Sequence, residues 1–244
     1  VTESGSKSFL YKVHPIRAFG NWNMGCMDSL ACNFNPNANM SNGSCIYPNE
    51  GYDCDGNINV QIGDEFNGGI VFYVANGLDG QYGLIASPEY IATGTWQEAY
   101  NQVMLYETEQ TTDWYLPYLH ELSMIYNQLH TTGINEYYTG DSNNWYWSSE
   151  VCDSLSSASN ISFVDGSYNL CNNMSSSQGG VIPINSFGNV QYGCTDSVAC
   201  NFNPNANMAN GSCVYPNEGY DCDGNITAQI GDIFEGGYLF YLDE

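Results

Sequence analysis

The feature that most constrains this chain is a cysteine- and asparagine-rich stretch written twice. "GCMDSLACNFNPNANMSNGSC" runs from Gly25 to Cys45, and "GCTDSVACNFNPNANMANGSC" from Gly193 to Cys213. An offset of 168 (193 − 25) lays residues 25–57 over 193–225 with 29 of 33 positions identical. The match continues from "QIGDEFNGGIVFYV" (61–74) into "QIGDIFEGGYLFYL" (229–242). It also extends backwards, with "HPIRAFGNWNMGC" (14–26) over "IPINSFGNVQYGC" (182–194). A repeat found early decides how the rest is divided. Small modules are expected at 25–57 and 193–225, with one larger domain at 58–192 between them. Residues 1–24 then read as the last strand of a preceding domain and 226–244 as the first strand of a following one. The expectation is a segment of a tandem array.

The small module holds few large apolar residues, so a core of its own is out of reach and it needs covalent or metal staples. Cys26, Cys32, Cys45 and Cys54 form a C-x5-C-x12-C-x8-C quartet that Cys194, Cys200, Cys213 and Cys222 repeat. Even counts at repeated local spacings read as disulfides closed within each module, in an oxidising compartment. Zinc is the rival reading, and it favours C-x2-C knuckles. A quartet admits three pairings, among which sequence does not choose. Cys152 and Cys171 flank a hairpin and are expected to pair.

Charge narrows the partners. Lys7, Lys12 and Arg17 are the only basic residues beside the three histidines, and the net charge is -24. Such a chain repels nucleic-acid phosphates and anionic membrane surfaces, so neither nucleic acid nor direct membrane insertion is expected. No apolar run reaches membrane-spanning length. Charged residues make up only 12% of the chain, so this is no disordered acidic tail. The excess of carboxylates suits either plain solvation or binding of cations.

Within the module, short oxygen-bearing side chains cluster: Asp28, Asn33, Asn35, Asn37, Asn39 and Asn42, then "YDCDGN" with Asp53, Asp55 and Asn57. Hard cations take carboxylate and amide oxygens, so calcium would be held by Asp28, Asp53 and Asp55, and by Asp196, Asp221 and Asp223 in the second copy. The other reading is that Asn and Asp bond local backbone and hold Asx turns. The stretch resembles the asparagine-rich, disulfide-linked repeats of surface proteins from marine bacteria and their viruses. It is more loosely similar to thrombospondin type 3 calcium repeats, from which it departs by placing Asn where most aspartates would stand.

The large domain reads as α+β, with mixed strands and two helices. "GGIVFYV" (68–74) and "YGLIAS" (82–87) are strands by their β-branched and aromatic content. Thr95–Tyr106 carries Trp96, Ala99, Tyr100, Val103 and Met104 at helical spacing, with Thr95 placed to cap. Leu116–Leu129 is the second predicted helix, with Pro117 in its first turn and Leu119, Leu122, Ile125, Tyr126 and Leu129 on its apolar face. Then come strands at "WYWSSE" (145–150), "NISFVDGSYNL" (160–170, turning at Asp165–Gly166) and "GGVIPINSF" (179–187). Trp114 and Trp147 are expected in the core. Glu121 is expected to accept a hydrogen bond there or at a helix terminus.

Several of these stretches ("IGDEFNGGIVFYV", "DWYLPYLHEL", "WYWSSE" and "ISFVDGS") resemble the bacterial C-type-lectin-like domain family of collagen-like adhesins and secreted paralogous proteins. Trp114, Leu116, Pro117, Glu121 and Leu122 match its W-x-L-P-x-x-x-E-L motif, and Tyr146, Trp147, Ser148 and Ser149 its Y-W-S-S. The resemblance implies that fold for most of 62–188, alternating with small disulfide-rich loop modules in the array. The "EPN" and "WND" signatures by which animal lectins of this fold bind sugar through calcium find no good match in "SPEY" or "SNNWYW".

Tyr137, Tyr138, Asn143, Asn144 and Trp145 are the expected contact surface, since loops rather than the supporting elements usually carry binding. No enzyme activity is expected. His120 and His130 lack a third metal ligand, and Glu121 lacks a partner for acid–base work. The related formylglycine-generating enzymes use reactive cysteines, but nothing here lowers a thiol pKa. The sequence leads to an extracellular, cell-surface or virion-surface structural filament or stalk with adhesive capacity. The alternative is a multivalent glycan- or protein-binding adhesin. Neighbouring repeats of the same polymer are the expected partners, beside a surface glycan or protein ligand.

Overall fold

The computed structural model describes residues 17, 19–91, 93–135, 144–152, 156–234 and 236–238. Of these, the residues up to Asn49 together with Cys54–Gly56 form one compact unit, and the others form a second.

The first unit is nearly all turn. Its strands β1 (Met24–Gly25) and β2 (Met40–Ser41) make one short parallel pair. Side chains do the work that ladders do elsewhere: Asn33 donates to the Ser44 carbonyl and accepts from the Ile46 amide. Asn35 and Asn42 accept from the amides of Asn37 and Ser44, which are Asx turns. With few apolar residues to bury, the chain pairs its backbone through asparagine instead.

The second unit is mostly sheet, with two short helices, and so a mixed α+β fold. A four-stranded antiparallel sheet is built from β3 (Glu65–Phe66), β4 (Gly69–Gly77), β5 (Gly80–Ala86) and β11 (Ile184–Phe187), in the order β11-β5-β4-β3. A five-stranded sheet combines β6 (Thr93–Gly94), β7 (Trp145–Val151), β8 (Ser157–Ser162), β9 (Tyr168–Asn173) and β10 (Gly179–Gly180), in the order β6-β10-β7-β8-β9. Within it β10 and β7 run parallel and the other pairs antiparallel.

Period-two alternation decides which face each residue buries. Ile70, Phe72, Leu84 and Ala86 point into a core with Leu122, Ile125, Leu129, Tyr146, Ile161 and Ile182. Val71 and Ile85 point the other way, onto Phe66, Trp114 and Phe187. The four-stranded sheet is therefore buried on both sides, which explains its almost uninterrupted apolar run. A third cluster sets Ala99 and Val103 against Trp147, Ala158 and Val181.

Helix α1 (Trp96–Val103) begins at the expected cap, with Glu98 accepting from the Thr95 amide at 2.8 Å. Helix α2 (Leu119–Ile125) starts later than the sequence predicts, with Tyr118 as its N-cap, so Pro117 lies before the helix. There the Pro117 carbonyl accepts from the Ser149 amide, which ties the entry of α2 to β7. The end of the predicted helix, Tyr126–His130, is a π-helical turn. "GGVIPINSF" is one predicted strand but serves two sheets: β10 ends at Gly180 and β11 starts at Ile184. Pro183 between them has no amide to give a ladder, and its carbonyl accepts from Ser87. The expected hairpin at Asp165–Gly166 joins β8 to β9, with Gly166 at φ 73° as the turn requires.

The second small module belongs to the second unit. Its strands β12 (Tyr192–Gly193) and β13 (Met208–Ala209) pair in parallel, as β1 and β2 do. β14 (Ile233–Phe234) and β15 (Gly237–Tyr238) form an antiparallel pair after it.

Candidate functional site

All ten cysteines are in disulfides, so no thiolate remains for zinc or for redox chemistry. The bonds are Cys26–Cys45 and Cys32–Cys54, then Cys194–Cys213 and Cys200–Cys222 at the same spacings. First pairs with third and second with fourth, so the two links of each module cross in sequence. Cys152–Cys171 ties the end of β7 to β9 across the hairpin.

Each aspartate considered for calcium lies at a turn. Asp28 accepts from the Leu30 amide at 2.9 Å and from the Tyr47 hydroxyl at 2.7 Å; Asp196 repeats this with Val198 and Tyr215. These bonds, the backbone one first, hold both carboxyls below the usual range. Asp53 accepts from the amide and the side chain of Asn57, as Asp221 does from Asn225. The Asn225 side chain is the main cause of the lowered Asp221 pKa. Asp55 and Asp223 are exposed. Among the described residues no three carboxylate, histidine or cysteine side chains gather at one point.

Of the expected contact surface, Tyr137, Tyr138 and Asn143 lie outside the described residues. Asn144 takes up a left-handed backbone at φ 42°, and its carbonyl accepts from the Phe163 amide. The Asn144 Oδ1 is buried and has no hydrogen-bond partner among the described residues. Trp145 opens β7 opposite Ser162 and is half-buried.

The most elaborate arrangement is where the second module meets the large domain. Met208 of β13 is buried in the same core as Phe72, Leu84 and Leu122, with Val190 and Tyr192 packed against it. The Tyr192 hydroxyl lies 2.5 Å from that of Tyr115, which in turn donates to Glu121 Oε1 at 3.1 Å. With the Tyr115 proton spent on Glu121, Tyr192 is the donor of its own bond. Glu121 Oε2 accepts from the Tyr118 amide at 2.8 Å and so caps α2. Burial pushes the Glu121 carboxyl up to about 7, against the lowering effect of its bonds to Tyr118 and Tyr115. Burial also raises Tyr192 to about 12 and Tyr115 further still. His120, on the same helix, is held below its ordinary value by burial, opposed by Glu150 and by a hydrogen bond to the Ala209 backbone.

The chain leaves the domain for the module through Gly188, at φ 70°, where a Cβ would stand 2.3 Å from the Gln81 carbonyl. No other residue fits that backbone and that approach. Beside this exit, Asn189 reaches Asp79 at 3.3 Å, and the β4–β5 turn borders a groove of about 570 Å³ with Gln191, Asn205 and Asn207 on its far side.

The chain matches no family model and no curated protein. Trp114 and Trp147 are buried as expected, and Glu121 accepts both a core bond and a helix-terminal one. Tyr115, Tyr192 and Met208 were not singled out by the sequence. The one available signal was that Met208 is among the few large apolar residues of a module rich in Asn, Gly and Cys.

Proposed function

We propose that this chain is a repeat segment of an extracellular structural filament or stalk with adhesive capacity. In this reading, C-type-lectin-like domains alternate with disulfide-clamped modules. The observation that carries it is the seating of Met208, Val190 and Tyr192 against the domain core. A module joined by free chain would let domains wander, whereas this one is bonded, cross-linked and steered by Gly188. Five disulfides suit an oxidising, extracellular setting. Support for the adhesive part comes from the buried Asn144 Oδ1, without a partner among the described residues, beside half-buried Trp145 at the edge of the expected contact loop. Repetition would multiply weak contacts there into avidity. Calcium bound in the modules through the six named aspartates is part of the proposal. Calorimetry with calcium and chelator on the oxidised chain reads it directly.

Electron microscopy of chains carrying several 168-residue periods tests the main reading. A regular spacing per period that is lost on disulfide reduction supports it. Random bending at every module in the oxidised chain contradicts it.

A further inference from the structure

The two modules share sequence and disulfide pairing but not surroundings, and around the parallel strand pair the difference lies on one face. At most equivalent apolar positions exposure is the same in both copies: Phe34 and Phe202 are 42% and 41% exposed, and Tyr47 and Tyr215 54% and 55%. On the face that carries the strand pair, four pairs break the symmetry. Phe19 is 88% exposed where Phe187 is 4%, and Met40 is 39% exposed where Met208 is 4%. Met24 and Trp22, 54% and 46% exposed, stand where Tyr192 and Val190 pack on the domain core. The glycine at the exit follows suit, since a Cβ on Gly20 would meet open space where one on Gly188 meets Gln81.

The first copy nevertheless holds the local geometry of the second. Asn39 donates to the Asn21 carbonyl and accepts from the Asn23 amide, both at 2.9 Å; Asn207 does the same with Asn189 and Gln191, both at 2.8 Å. β1 pairs with β2 in the register in which β12 pairs with β13. The strand pair that carries Met24 and Met40 is therefore set up as it is around Tyr192 and Met208, and only the cover differs. Clustered apolar exposure of this kind marks an interaction surface.

We propose that Phe19, Trp22, Met24 and Met40 form a docking surface whose occupant is a domain of the 58–192 type from an adjoining repeat. That domain would hold them as this one holds Phe187, Val190, Tyr192 and Met208. The proposal rests on the tandem-array reading. A second copy of this chain does not serve as the occupant, because its own second module already fills the seat. Met24 brings no hydroxyl to a Tyr115-like partner, so the contact there is apolar, and the Tyr115 bond to Glu121 remains.

The test uses a lengthened chain in which residues 58–181 are placed ahead of His14. A 58–181 domain is then followed by Phe19, Trp22, Met24 and Met40 in the places of Phe187, Val190, Tyr192 and Met208. Oxidation by dilute peroxide is followed at each methionine by mass spectrometry. In the 244-residue chain, Met24 and Met40 react fast and Met208 slowly. In the lengthened chain Met24 and Met40 slow by about tenfold, while Met27, outside the face, does not change. Unchanged rates at Met24 and Met40 with Met208 still protected overturn the proposal.

A second readout is independent of oxidation. Met40→Asp leaves the melting temperature of the 244-residue chain unchanged and lowers that of the lengthened chain. No effect in either chain overturns the proposal. Regular spacing by microscopy with fast oxidation removes the docking surface and leaves the array. Irregular spacing with protected methionines removes the rigid array and leaves the surface.

Discussion

In the large domain Phe72, Leu84, Leu122, Ile125 and Trp147 are wholly or almost wholly withdrawn from solvent, whereas in the second module the buried apolar side chains are Cys194, Ala199 and Met208. Met208 belongs to the domain's core, so the module's own apolar interior is little more than an alanine and a disulfide. Fully burying a Leu or Phe contributes about 1.5–3 kcal/mol, and the domain has many such residues while the module has none. What the module has is two crossed disulfides, each worth about 3 kcal/mol through the unfolded chain. One region is stable because of what its folded state buries, the other because of what its unfolded state is denied.

The difference can be broken from the module's side with the largest effect. Cys194→Ser with Cys213→Ser and Cys200→Ser with Cys222→Ser removes about 4–8 kcal/mol from 193–225. Near-ultraviolet and far-ultraviolet circular dichroism should show the module disordered and the sheets of the domain intact. On the domain's side, Leu122→Ala at a fully buried position should cost about 3–4 kcal/mol. Denaturant titration should show it, with the four module disulfides still formed.

Next comes pH, through the carboxyl that accepts from Tyr115 behind the contact between the two regions. Glu121 has its folded pKa raised from 4.5 to about 7 by burial. The folded state therefore binds more protons between those values. The stability this supplies is fully present below about pH 4.5 and is lost as pH rises through about 7. The size is about 3 kcal/mol. Glu121→Gln should flatten that slope relative to the wild type, which cancels the general repulsion among carboxylates common to both chains. The smallest effect sits at the contact itself: Tyr192→Phe removes the hydrogen bond to Tyr115 and should cost about 1 kcal/mol, read as a lower melting temperature.

The two regions were also legible to different degrees. The β-branched and aromatic content of "GIVFYV" and "GLIA" was enough to place β4 and β5, because a sheet buried on both faces writes an apolar run in its sequence. Thr95 announced the start of α1, and the structure adds Glu98 as the other half of its capping box. The quartets announced disulfides closed within each module, but spacing carries no pairing information, so the crossed connectivity had to come from the structure. The division of 179–187 between two sheets turns on Pro183, and its effect depends on what lies on either side in space. The π-helical turn after Ile125 carried no local signal in the residues. Least legible was the seat of the second module. Met40 and Met208 sit in nearly identical sequences, yet one is exposed and the other is core, so their burial is a property of the neighbour. Of the expected contact loop, only Asn144 and Trp145 lie within the described residues.

Hydrogen exchange with mass spectrometry, before and after mild reduction of the oxidised chain, tests the central claim most directly. The account predicts that reduction strips protection from 193–213, including the amides of Cys200 and Asn203 that bond within the module, while the strands β4 and β5 keep theirs. Loss of protection in both regions together would contradict it, and so would a module that stays protected with its disulfides open.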